Sequence, residues 1–320
     1  MRAGATGEAV ADLQRRLAGL AHPTGDDLPG TYGPGTEAAV RTFQQERGLR
    51  DDGICGDETW STLVDAGQSL GDRLLYERVP MLRGDDVADL QRLLGELGFD
   101  AGRVDGFFGP DTAHAVTEFQ RNAGLPTDGV CGPDTLEAVW RVSGRTGNGS
   151  TVARIREADA IRRTPPGLTG RRVAVADGGE ATGLTDSLGR ALQAAGAVVS
   201  VIHHPDEGER AEAANAFGAA VCVGLTVREE PGVDVAYYAR EDFESIGGRR
   251  LAEMIAASLS GGPAALGGTP KGMRLRILRE TRMTAVQLEV GPPSVAVEHA
   301  PAVVRAVADA VARWATEPLD

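Results

Sequence analysis

The chain has 320 residues, 46 acidic against 33 basic side chains and a formal net charge of -13. That excess of negative charge argues against nucleic acid or an anionic membrane face as a partner, since both need a positive surface. No stretch approaches the length of an apolar membrane span, and Met1 to Gly7 run straight into the first patterned segment with no apolar secretion core, so a cytoplasmic protein is expected.

In chain order, the first half is written twice. Val10-Ala11-Asp12-Leu13-Gln14 recurs as Val87-Ala88-Asp89-Leu90-Gln91, and Asp52-Gly53-Ile54-Cys55-Gly56 recurs as Asp128-Gly129-Val130-Cys131-Gly132. Between them Gly33-Pro34 matches Gly109-Pro110, Phe43-Gln44 matches Phe119-Gln120, and Gly48-Leu49 matches Gly124-Leu125. Val10, Leu13, Leu17 and Leu20, like Val87, Leu90, Leu94 and Leu97, follow helical spacing and specify one apolar helix face. A proline at Pro34 or Pro110 is preorganised for the first turn of a second helix, and Gly48 or Gly124 stops it as a C′ glycine. Asp57 or Pro133 opens a third, shorter helix. The expectation is an all-α three-helix repeat over 1–66, a connecting segment over 67–82 and a second three-helix repeat over 83–141.

The segment 142–169 reads as a linker: Ser143 to Ser150 is rich in glycine and polar residues, a charged piece of helical character follows, and Pro165-Pro166 closes it. Beyond it, apolar runs alternate with helical ones. Val173 to Val175, Val198 to Ile202, Ala220 to Leu225, Val233 to Tyr237 and Ala285 to Glu289 read as strands; Leu184 to Ala195, Glu207 to Phe217, Ser245 to Ser258 and Pro301 to Trp314 read as helices. That alternation predicts an α/β domain over 170–320, with a mostly parallel sheet covered on both faces and functional groups at the carboxyl ends of its strands. The three cysteines, Cys55, Cys131 and Cys222, fall in apolar surroundings and read as free buried thiols.

The repeats resemble the three-helix peptidoglycan-binding domain, with its "V..LQ..L" helix and its two "DG..G..T" turns. The second copy carries the pattern nearly throughout, in Val104-Asp105-Gly106-Phe107-Phe108-Gly109 and Thr112; the first has Asp26 to Tyr32 in place of the first aspartate-glycine turn. The resemblance makes Asp105, Gly106, Phe107, Phe108 and Gly109 the candidate ligand-binding residues. It leaves open a plain role as spacers or protein-contact surfaces.

The segment from Gly170 to Trp314 resembles the zinc-dependent N-acetylmuramoyl-L-alanine amidase domain, which cleaves the bond between muramic acid and the stem peptide. Leu278 to Gly291 is similar to the family's "LRET.MPAVLVE.GF", and Arg210 through Asn215 with Gly218-Ala219 to its "R...AN..GAD". This resemblance puts Glu289 on the catalytic glutamate. It also implies zinc held by two histidines and a glutamate, with an open position for the attacking water. Ala176-Asp177-Gly178-Gly179-Glu180 stands where the family has "DPGHGG", without a histidine, and Thr226 stands on the second histidine. The helix that opens with the glutamate ligand is shortened, leaving Asp177 or Glu180 as substitutes. His203 and His204 are adjacent at a strand end, so their side chains point to opposite faces and do not share one metal; they read as a solvated terminus before Pro205. No resident metal is expected.

Two such repeats ahead of an amidase-like domain resemble the actinobacterial CwlM-like group, as do Ser69 to Tyr76 and Gly84-Asp85-Asp86-Val87. That resemblance implies a catalytically inactive amidase homologue that regulates cell-wall precursor synthesis through protein contacts. Its implied partner is an enzyme of peptidoglycan precursor synthesis or a regulator of one, with muropeptide or a lipid-linked precursor as a further ligand. The alternatives from the residues are a zinc-dependent amidase with a divergent site and a pure precursor binder.

Overall fold

The computed structural model describes residues 1–143, 152–240, 243–262 and 266–317. The chain divides into two compact units, Met1–Arg156 and Glu157–Asp320. Most of the glycine-rich stretch expected as a linker, 144–151, lies outside the described residues.

In the first unit, α1 (Glu8–Gly19), α2 (Pro34–Glu46) and α3 (Asp57–Ala66) form one repeat; α4 (Asp85–Glu96), α5 (Pro110–Ala123) and α6 (Pro133–Ser143) form the other. The helical stripes read from the sequence are the cores: Val10, Leu13, Leu17, Val40, Phe43 and Leu63 in one, Val87, Leu90, Leu94, Val116, Phe119 and Val139 in the other. Tyr32 and Phe108 fill equivalent places, each almost wholly buried. Cys55 and Cys131 are free and buried, and burial pushes their thiols up to about 11 and about 12.

The connecting segment is ordered by polar anchors. Leu75 exchanges backbone hydrogen bonds of 3.2 and 2.8 Å with Cys131. Arg73 donates to both oxygens of Asp86, at 2.7 and 3.0 Å, and that carboxylate is fully buried. Arg83 reaches back to Asp65 of the first repeat at 3.0 Å, and Arg47 pairs with Asp85, so ion pairs join the two repeats.

The second unit holds β1 (Arg172–Asp177), α8 (Thr182–Ala194), β2 (Val198–His203), α9 (Glu207–Phe217), β3 (Val221–Val227), β4 (Gly232–Arg240), β5 (Phe243–Glu244), α10 (Ile246–Gly261), β6 (Thr269–Met273), α11 (Arg276–Glu280), β7 (Thr284–Gly291), α12 (Pro293–Glu298) and α13 (Ala300–Thr316). The charged piece of the expected linker is the helix α7 (Val152–Arg163). Its Glu157 carboxylate accepts from Ser245 Oγ at 2.5 Å and from the amides of Ile246 and Gly247 at 3.0 and 3.2 Å, taking up donors that the first turn of α10 leaves unpaired.

The sheet runs β2-β1-β3-β7-β4-β5, with β6 also paired to β4. β2, β1, β3 and β7 are parallel, as the βα alternation requires, whereas β4 runs antiparallel to β7 and β6 parallel to β4. β4 follows β3 after a short turn, with no helix to carry the chain back, and such a connection permits only the antiparallel direction. β6 is absent from the sequence expectation because Thr-Pro-Lys-Gly-Met has neither an apolar run nor alternation. Its proline is tolerable only at a sheet edge.

One face of the sheet presents Val173, Val175, Val221, Val223, Val286 and Leu288 to α8, α10 and α13, the main core. The other presents the small residues Ala174, Ala176, Cys222 and Ala285, which let α9 and α11 approach closely. Period-2 alternation then places Gly224, Thr226, Gln287, Glu289 and Asp234 on this second face, toward the carboxyl ends of β3 and β7.

Candidate functional site

Thr226 on β3 is the register partner of Glu289 on β7, and Glu289 is the antiparallel partner of Asp234 on β4. The residue that the resemblance puts on the second histidine position and the one it puts on the catalytic glutamate are thus neighbours in one cross-strand row. Thr226 is engaged: Gln287 Nε2 donates to its Oγ1 at 2.8 Å. Gln287 is itself buried, and a Cβ on the opposing Gly224 would stand 1.8 Å from Gln287 Oε1, so this glutamine requires that glycine.

Glu289 is 7% exposed. Arg228, just past β3, donates from Nη1 to Asp234 Oδ2 at 2.6 Å, and the same nitrogen lies 3.7 Å from Glu289 Oε2. Lys271 Nζ, from the chain's sole lysine, reaches Asp234 Oδ2 at 2.7 Å. Burial alone would raise the Asp234 carboxyl, but the hydrogen bonds from Lys271 and Arg228 hold it below the usual carboxylate range.

On the other face of the sheet, Asp177 ends β1 fully buried. Its Oδ1 accepts from the Gly179 amide at 2.6 Å, and its Oδ2 lies 2.6 Å from His203 Nδ1; His203 Nε2 lies 3.2 Å from Asp186 of α8. His203 is exposed at the strand terminus, as the sequence suggested, and there it partners a buried aspartate that the sequence did not reveal. Burial would lower its pKa, and the flanking carboxylates Asp177 and Asp186 outweigh that and raise it. His204 faces away, exposed, with its amide donating to the Asp177 carbonyl at 3.1 Å. Glu180 is exposed in the loop that follows.

The remaining histidines are scattered: His22 packs edge-on against Phe43 at 5.7 Å, His114 sits on α5 and His299 separates α12 from α13. Among the described residues, no three His, Cys, Asp or Glu side chains are grouped to hold a metal ion. Around Glu289 the donor set does not fit zinc. Thr226 offers a neutral hydroxyl already hydrogen-bonded, and the Arg228 guanidinium would repel a dication placed against the same carboxylate.

In the second repeat, the Asp105–Gly109 turn is folded around Gln91 of α4. Gln91 Oε1 accepts from the amides of Asp105 and Gly106 at 3.1 and 2.9 Å, and Nε2 donates to Asp105 Oδ1, the Phe107 carbonyl and Thr112 Oγ1. Gly106 has φ +81°, and a Cβ there would meet the Gly84 carbonyl at 2.9 Å. Phe108 is fully buried in the repeat core and serves packing, whereas Asp105, Phe107 and Gly109 are partly exposed around the turn.

The first repeat keeps the same device despite its different sequence. Gln14 accepts from Gly30, at φ +76°, and donates to the Thr31 carbonyl and Thr36 Oγ1. The expected loss of the turn in Asp26 to Tyr32 is therefore a change of side chains on a retained backbone path. Asp27 adds a cap, accepting from the amides of Gly33, Gly35 and Thr36 at 3.1, 3.3 and 2.6 Å at the start of α2.

The putative peptidoglycan binding domain matches twice, at residues 6–63 and 83–139. The N-acetylmuramoyl-L-alanine amidase CwlM of Mycobacterium tuberculosis is 34% identical over 287 residues, covering 80% of this chain and 70% of the relative. The N-acetylmuramoyl-L-alanine amidase CwlL of Bacillus licheniformis is 35% identical over 153 residues, 41% of this chain and 42% of that one. Among solved structures, the N-acetylmuramoyl-L-alanine amidase AmiC2 of Nostoc punctiforme aligns with 46% of this chain and 98% of its own, at 18% identity and a TM-score of 0.38. With the 34% identity to the Mycobacterium tuberculosis relative extending over 80% of this chain and 70% of that one, this protein belongs to the CwlM family, in which peptidoglycan-binding repeats accompany an N-acetylmuramoyl-L-alanine amidase-like domain.

Proposed function

We propose that this protein is an amidase homologue that does not hydrolyse peptidoglycan, and that it acts from the cytoplasm on cell-wall precursor synthesis through protein contacts. The observation that carries this reading is the state of the cleft around Glu289. An amidase of this family needs a metal to acidify water and polarise the scissile carbonyl, and needs its glutamate free to move the proton. Here a guanidinium faces that glutamate at 3.7 Å and the second histidine position holds a threonine bonded to Gln287. The nucleophile has nothing to activate it. The partner class is an enzyme of precursor synthesis or a regulator of one, and muropeptide or a lipid-linked precursor is the ligand class of the repeats.

The test is release of stem peptides from purified peptidoglycan by the full-length chain, with Glu289→Ala alongside. No release above the protein-free blank is expected from either form. A rate from the wild-type chain that vanishes in Glu289→Ala would contradict the proposal and favour the alternative of an amidase with a divergent site.

A further inference from the structure

Asp234 and Glu289 are directly opposed on antiparallel strands, on the same face, 16% and 9% exposed at their side chains. Two carboxylates in that relation repel one another across a gap of roughly 5 Å between Cβ atoms. Such a pair persists in a folded protein with a cation against it or with a proton shared between the two groups.

The cation is supplied by the chain. Arg228 Nη1 lies between the two, 2.6 Å from Asp234 Oδ2 and 3.7 Å from Glu289 Oε2. Its seat is shaped by close backbone approach. The Arg228 amide donates to the Val290 carbonyl at 3.0 Å. A Cβ on Gly291 would stand 2.7 Å from Arg228 Cγ and 2.1 Å from the Glu230 carbonyl, and one on Gly232, at φ +128°, would stand 3.0 Å from Arg228 Nη2. Two glycines thus leave the room through which this side chain reaches the carboxylates.

We infer that Arg228 is the resident cation beside Glu289: its guanidinium supplies the positive charge that the opposed carboxylates of Asp234 and Glu289 require and closes the space against them to divalent cations. Lys271 completes the neutralisation from β6, giving two positive and two negative groups. The inference rests on the reading of the cleft as one without zinc, and it adds an outcome that reading does not contain. Removing the guanidinium leaves two facing carboxylate groups with Lys271 against Asp234 alone, and so with net negative charge and hard oxygen donors of the kind calcium accepts in flexible geometry.

The experiment follows thermal unfolding of the full-length chain, with and without calcium chloride, against sodium chloride at matched ionic strength. The wild-type midpoint is expected to be the same in both salts. Arg228→Ala should lower the midpoint by roughly 5–10 °C, the range for breaking a buried pair in a unit of this size. Calcium should restore about half of that loss, and Arg228→Ala/Glu289→Gln should lose the calcium response. If Arg228→Ala does not fold, Arg228→Met/Glu289→Gln should fold, since it removes the opposed charges together. The inference is overturned if Arg228→Ala unfolds at the wild-type midpoint, if calcium acts equally with and without Glu289, or if neither variant folds. Zinc bound by the wild-type chain would instead defeat the reading of the cleft on which the inference rests, so the two failures are distinct.

Discussion

The opposed titrations of His203 and Asp234 give single residues measurable consequences. His203 binds its proton more tightly in the folded chain than its ordinary value of 6.5, because Asp177 and Asp186 flank it. A raised pKa means that the stability it contributes is fully present below the unfolded value and is lost as pH rises through the folded one. His203→Gln should therefore narrow the stability difference between pH 6 and pH 9 that the wild-type chain shows, with the wild type more stable than the variant chiefly at pH 6; denaturant midpoints at the two pH values read this. Asp234 works the other way. Its depressed carboxyl contributes above the ordinary value of 3.8, and that contribution disappears as pH falls through the lower folded value. The sequence could not pair His203 with Asp177, because the pairing exists only through the β1–β2 register that sets Asp177 beside His203. It did show that the two adjacent histidines diverge, since that follows from strand alternation alone.

At the scale of elements, the repeats were the most legible part of the chain. Their helices announce themselves by apolar spacing, and the glutamine after the apolar pair is the key to each turn. Gln14, Gln44, Gln91 and Gln120 all do the same work, each binding a glycine amide through Oε1 and a threonine hydroxyl through Nε2. What the pattern hid was that the first repeat retains its turn without the aspartate, because backbone and glutamine suffice once Gly30 supplies the positive φ. Gln91→Leu strips several buried partners at once and should cost about 2–3 kcal/mol in denaturant unfolding. If the turn is a ligand surface, a soluble muropeptide should perturb the amides of Asp105, Gly106, Phe107 and Gly109, and perturbations confined to Gly30 to Gly33 would contradict that assignment. β6 stayed invisible because an edge strand of threonine, proline, lysine, glycine and methionine is made by its neighbour β4 rather than by its own propensity.

For the whole molecule, the α/β alternation foretold the parallel half of the sheet and the strand whose carboxyl end carries Glu289, while the surroundings of that glutamate depended on residues that no motif connects: Arg228, Asp234, Gln287 and Lys271. Under the proposed non-hydrolytic function the working parts lie at surfaces, and two compact units offer two such surfaces, whose joint engagement raises avidity. Deleting residues 1–140 should weaken capture of native partners at least tenfold while Glu289→Ala leaves it unchanged, as read by co-purification; the reverse pattern would put the contact in the cleft. The central proposal, that no metal is held beside Glu289, where Arg228 and the bonded Thr226 stand, is tested most directly by elemental analysis of the full-length chain purified without chelator. The expected result is zinc far below one ion per chain. One tightly held zinc per chain, lost together with Glu289 or Thr226 substitution, would contradict it.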